Sequence, residues 1–120
     1  MLTERDLIMR LIRQLAEMLA AVLKLRRGGK REEALARIDQ VTGRFTGMDA
    51  GVLCLFGGPA LAGVQPELRL PLARLLRARA HLLRASGDLT GFRQALRAAR
   101  ELVRTAPRPE LARGGARPDV

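Results

Sequence analysis

The chain has no tryptophan and no tyrosine, and its only aromatic residues are Phe45, Phe56 and Phe92. It holds one cysteine, Cys54, one histidine, His81, and one serine, Ser86. Each scarcity excludes something. A single cysteine forbids an intrachain disulfide. One His and one Cys cannot supply a soft metal site, so neither a metal nor a cofactor is expected. His81 and Ser86 stand five residues apart across the end of a predicted helix, with no third partner for nucleophilic catalysis. His81 reads instead as a partly exposed residue near a helix C-terminus, where a cation is favoured. Gly28-Gly29-Lys30 lacks the preceding strand and the following Ser or Thr that a phosphate loop needs. Glu4, Asp6, Glu32 and Glu33 are helix-start acids, not an acid–base pair. The expectation is a protein that is not an enzyme.

Long apolar runs are missing too. The longest uncharged stretch, Ala50 to Pro66, is short and rich in Gly and Pro, so no transmembrane segment is expected. Met1-Leu2-Thr3-Glu4-Arg5-Asp6 has acids where a signal peptide would be basic. A lone thiol suits a reducing compartment. The expected location is therefore cytoplasmic. Cys54, set in Val52-Leu53-Cys54-Leu55-Phe56, reads as an inert core residue.

What remains is largely leucine, alanine and arginine. The 120 residues are 48% hydrophobic, enough for one core and too few for two. Leu and Ala must fill that core, and both favour helices over strands. The formal net charge is +10, and all but Lys24 and Lys30 of the 22 basic residues are Arg. This excess has two readings. One is an anionic partner such as nucleic acid, anionic lipid or an acidic protein. The other is a GC-rich genome, whose codons favour Arg, Ala, Gly and Leu together.

Thr3 predicts a helix N-cap, with Asp6 completing a variant capping box. Leu7, Ile8, Leu11, Ile12, Leu15, Met18, Leu19, Val22 and Leu23 then recur at helical intervals in a stripe wider than a coiled-coil seam. That width predicts a central first helix, or one that adds an oligomer contact, with Leu11, Leu15, Leu19 and Val22 buried. Gly28-Gly29 stops it. A second helix is predicted from Lys30 to Gly47, with Ala34, Leu35, Ile38, Val41 and Phe45 inward and Gly43 as a weak point. Asp49 caps a short third helix, Ala50 to Phe56, and Pro59 begins another short turn after Gly57-Gly58. The apolar stretch Ala50 to Val64 reads as a buried connector, or else as a pocket or docking surface. Pro66 or Pro71 opens the fourth helix, with Leu68, Leu72, Leu75, Leu76, Ala80 and Leu83 inward, and Pro71 is expected to divide it. Ser86-Gly87-Asp88 separates it from a fifth helix, Leu89 to Thr105, with Leu89, Phe92, Leu96, Ala99 and Val103 inward. Residues 1–106 thus form a single domain, and the Pro-, Gly- and Arg-rich stretch 107–120 reads as a flexible tail.

The fold class expected is all-α: antiparallel helical hairpins, about four long helices plus a short helical connector. Aligning Gly29 with Gly87 places Ala34 on Phe92, Ile38 on Leu96 and Val41 on Ala99. This spacing resembles the second helix of a tetratricopeptide hairpin. Phe92 departs from it, standing where a small residue belongs, and the units lie 58 residues apart rather than 34. The layout also resembles a family of short, uncharacterised bacterial all-helical proteins. The carriers are Asp6-Leu7-Ile8-Met9-Arg10-Leu11-Ile12, Glu32-Glu33-Ala34-Leu35 with Ile38-Asp39, Gly47-Met48-Asp49, and Ala80 through Gly87-Asp88. The resemblance spans about residues 5 to 105; the Gly-rich connector and the arginine loading depart from it. It implies a fold and no activity.

One pattern has chemical content. Arg93, Arg97, Arg100 and Arg104 form a ridge along the fifth helix, and Arg74, Arg77, His81 and Arg84 form one along the fourth. If the two helices are antiparallel neighbours, Arg74, Arg77, Arg84, Arg93, Arg97, Arg100 and Arg104 make a candidate polyanion-binding face. No aromatic interleaves them, so base stacking is not offered. The leading expectation is a non-catalytic protein–protein interaction or homo-oligomerising module, its partner another protein or itself. The alternative is a basic domain that binds nucleic acid or another polyanion non-specifically.

Overall fold

A computed structural model describes residues 3–107; the stretch expected to be a tail lies, from Arg108 onward, outside the described residues. The order of elements is α1 (Glu4–Arg27), α2 (Arg31–Thr46), α3 (Ala50–Phe56), α4 (Gly58–Leu61), α5 (Pro66–Ala85) and α6 (Leu89–Thr105). No strand occurs among the described residues. Six helices replace the expected four and a single connector, because Gly57, at φ +65°, breaks the linking segment in two.

The ends of these helices follow local chemistry. The Thr3 hydroxyl accepts from the Asp6 N–H, and the Asp6 carboxylate accepts from the Thr3 N–H, closing the capping box. Hydrogen bonding from the Thr3 hydroxyl and backbone N–H holds the Asp6 carboxyl below its usual pKa, so the box is intact at neutral pH and loosens only as pH falls through that lowered value. Asp49 and Asp88 cap α3 and α6 by accepting from the N–H groups of Val52 and Gly91. Gly47 ends α2 in the left-handed region, at φ +79°. At Gly91 a Cβ would crowd its neighbours, lying 2.6 Å from the capping carboxylate of Asp88 and 2.9 Å from Leu83, so that those side chains would have to shift.

α1 and α2 form one hairpin, and α5 and α6 form another with a more extensive interface. α5 also lies against both α1 and α2, while α3 and α4 rest on α6. The centre of the fold is therefore α5, not α1. Leu68, Leu72, Leu75, Leu76, Ala80 and Leu83 are buried as expected, and Ala73, Ala78 and Leu82 join them. α1 buries only Leu15 and Val22 fully; Leu11 and Leu19 are half-buried at the edge of the core, and Leu7 is exposed. Its wide stripe is shared between α2 and α5, and Leu7 and Met9 in its first turns stay exposed.

Two further expectations are corrected. α5 runs unbroken through Pro71. The proline removes only the bond to the carbonyl of Glu67, which belongs to an exposed first-turn residue that water can satisfy. The inward face of α6 is Ala95, Ala98, Ala99 and Leu102, whereas Leu89 and Val103 are exposed and Phe92 and Leu96 half-buried. Alanines let α6 approach α5 closely, and the bulkier side chains are turned to its flank. In α2, Ala34, Ile38 and Val41 are buried, Leu35 and Phe45 lie at the core edge, and Gly43 leaves the helix unbroken.

One core position is imperfect. Thr42 is fully buried, and its hydroxyl has no hydrogen-bond partner. An unsatisfied buried hydroxyl is destabilising, and valine has nearly the same shape. Thr42→Val should therefore raise stability by about 1 kcal/mol, which chemical denaturation would detect as a higher midpoint with an unchanged slope.

Candidate functional site

The two arginine ridges lie on antiparallel neighbouring helices, so the geometric condition for one shared face is met. Arg74, Arg77, His81 and Arg84 are all exposed along the outer side of α5, and Arg93, Arg97, Arg100 and Arg104 along the outer side of α6. They differ in their surroundings. Arg104 is bound to Glu101 through two hydrogen bonds, which raise its pKa and lessen its availability to another anion. Arg97 and Glu101 line a small groove with Cys54, Gly57, Gly58 and Leu61, on the flank where α6 meets α3 and α4. The Arg84 guanidinium sits over the Phe92 ring, 5.5 Å from its centroid, joining the end of α5 to the start of α6.

Two arginines outside the ridges point inward, and sequence reasoning passed over both. Arg79 is largely buried; its Nη1 lies 3.1 Å from Oδ1 of Asp39 on α2. The same oxygen accepts from the N–H of Ala50 at the start of α3. One carboxylate thus joins α2, α3 and α5. The signal was present: Arg79 falls on the apolar stripe with Leu72, Leu75, Leu76 and Leu83, where a charge requires a partner. Arg69 spreads its guanidinium over the carbonyls of Val64, Ala62 and Thr105, fastening the α4–α5 loop and the end of α6 to the body. Both are structural members, and neither is free to bind an anion.

Ser86 donates its hydroxyl to the carbonyls of Leu82 and Leu83, finishing α5, while His81 is exposed on the outer ridge. Cys54 is buried, and burial pushes its thiol up to about 11. No cluster of His, Cys, Asp and Glu suited to a metal occurs among the described residues. No helix there is long and apolar enough to cross a membrane.

The segment Ala50 to Val64 is not wholly buried, and parts of it line open grooves: Cys54, Gly57, Gly58 and Leu61 beside α6, and Pro59, Ala60, Gly63 and Val64 beside Leu11 and Phe45. Ala50, Leu53, Cys54, Leu61 and Val64 face inward, whereas Val52, Leu55 and Phe56 face out, the last two being 62% and 64% exposed. α3 therefore presents an apolar outer side. Compared with family models, with curated proteins and with solved structures, the chain matches none.

Two outcomes follow from this geometry. Asp39→Ala leaves the Arg79 charge unpaired and the start of α3 short of an acceptor, and should cost about 2 kcal/mol in denaturant unfolding. Cys54, buried and protonated, should react with a thiol reagent such as DTNB at neutral pH only at the rate of unfolding. A fast reaction in native buffer would contradict its placement.

Proposed function

We propose that the domain is a non-catalytic interaction module that binds another protein chain on a scaffold of tetratricopeptide-like hairpins. The α1–α2 and α5–α6 pairs succeed one another, and α5 lies against both helices of the first pair. Two stacked repeats of that kind have the same order of contacts. The α3–α4 segment is then an insertion between them. A bacterial origin and a cytoplasmic location accord with this reading through the family resemblance and the lone thiol.

The observation that carries the proposal is the fate of the large apolar side chains. The core takes alanine on α6, while Leu89 and Val103 remain outside on that helix and Leu55 and Phe56 remain outside on α3. A chain with three phenylalanines leaves one of them 64% exposed. Clustered apolar side chains on a small domain mark surfaces that meet another chain. The second reading, polyanion binding, is favoured by the number of exposed arginines on the α5–α6 hairpin.

Sedimentation of the pure chain, together with cross-linking in its native host, tests both. We expect a stoichiometric protein complex, with itself or another chain. Either Leu55→Ser with Phe56→Ser or Leu89→Ser with Val103→Ser should remove it while the helical circular dichroism is retained. Random duplex DNA should bind weakly at physiological salt. The reading is overturned if duplex DNA binds tightly there, with a log–log salt slope of about −0.9 per phosphate, and if Arg93→Gln, Arg97→Gln and Arg100→Gln together remove that binding.

A further inference from the structure

The flank of α6 between its alanine face and its arginine ridge has a spacing of its own. Leu89, Phe92, Leu96, Ala99 and Val103 recur at alternating intervals of three and four, the seam of a helix that packs lengthwise on another helix. α5 covers one edge of this seam, burying Ala99 in its floor, leaving Phe92 and Leu96 half-buried and Leu89 and Val103 exposed at its two ends. α3 and α4 lie on the opposite flank of α6, beside Arg97 and Glu101, and so do not cover it. Arg93 and Arg100 each follow a seam residue by one position and border it on the outside. Arg77 and Arg84 stand seven residues apart on α5 and border it on the other side; Arg84 reaches over Phe92 itself. An apolar channel thus runs between two rows of arginine.

We propose that this channel receives an acidic amphipathic helix of a partner protein, one with leucine-like residues along one stripe and carboxylates on both sides of it. The inference rests on the reading of the domain as a protein-interaction module and names the chemistry of its partner. A helix laid in a groove is anchored by apolar residues at i, i+3, i+4 and i+7, and flanking charges set its identity. Here those flanking charges are all cationic. A second copy is disfavoured by the same feature, since pairing this face with itself opposes arginine to arginine. Nucleic acid would find phosphate partners at the rims but nothing for its backbone in the apolar middle. The one ring in the channel, Phe92, is already covered by Arg84 and offers no stacking platform.

Fluorescence anisotropy with three labelled synthetic helical peptides tests the proposal. The first has leucine at the seam positions and glutamate at the flanking ones. The second replaces those glutamates by lysine, and the third replaces the leucines by serine. The wild-type chain should bind the first peptide, the second not measurably, and the third at least about tenfold more weakly. Leu89→Ser with Val103→Ser should weaken the first peptide about tenfold with circular dichroism unchanged. Arg77→Glu with Arg100→Glu should lose the first peptide and gain the lysine one, a reversal that misfolding cannot produce. The proposal is overturned if the leucine and serine peptides bind equally, or if duplex DNA of the same charge displaces the first peptide more readily than unlabelled peptide does. It is also overturned if no peptide binds while Leu55→Ser with Phe56→Ser abolishes a protein complex. That last result leaves the interaction module standing and moves its surface to α3.

Discussion

Arg79 has to find a carboxylate, and much of the fold follows from where it finds one. It is carried toward the centre on the face of α5 that also holds Leu72, Leu75, Leu76 and Leu83. A guanidinium there is tolerated only if its charge is met. Asp39 meets it from α2 and uses the same oxygen to hold the first N–H of α3. The position of α2 relative to α5 and the point where the chain turns into α3 are thus set by one group. Because Asp39 is 44% exposed, water shares the load on its side, and the pair acts as a locator more than as a large source of stability.

The same centre explains why bulk is found outside. α5 is packed by α1, α2 and α6 and, between its two ends, turns its arginine–histidine ridge to solvent. For α6 to lie close enough to cover α5, its inner face has to be small, and Ala95, Ala98 and Ala99 meet that need. Leu89, Leu96 and Val103 are then displaced to the flank, and Arg69 secures the far end by taking the carbonyl of Thr105. On α3 a similar economy applies. Ala50, Leu53 and Cys54 complete the core, and the opposite side of that helix, with no polar residue to place there, shows Leu55 and Phe56.

Local chemistry was readable from the sequence, and long-range packing was not. The caps Thr3 and Asp49, the break at Ser86-Gly87-Asp88 and the glycines Gly28-Gly29, Gly47 and Gly57 act over a few residues, so both ends of α1 and α3, the end of α2 and the start of α6 could be placed from them. The division expected at Pro71 failed because a missing hydrogen bond costs little one turn inside a helix whose start is open to water. The inner face of α6 was assigned by size, whereas close helix approach selects for smallness. The arginine ridges were legible as periodic charge, and their exposure agrees with that pattern. Arg69, Arg79 and Asp39 escaped notice because each partner lies on another element, and no local spacing marks such a pair.

The arginine excess admits a sharper argument once its neighbours are known. Between Pro66 and Thr105 stand nine arginines against three acids. Asp88 is committed to capping α6, Glu67 lies in the first turn of α5 beside Arg5 and Met9 of α1, and Glu101 is held by Arg104. Arg69 and Arg79 are turned to carbonyls and to Asp39. No acid of the hairpin therefore reaches Arg77, Arg84, Arg93 or Arg100. Codon bias explains an abundance of arginine but has no reason to place acids at helix ends and leave cations on both sides of an apolar seam. Such an arrangement raises the self-repulsion of the domain and lowers it again only when carboxylates arrive from outside. The channel between α5 and α6 is thus incomplete in charge as well as in apolar cover, and a single acidic amphipathic helix corrects both.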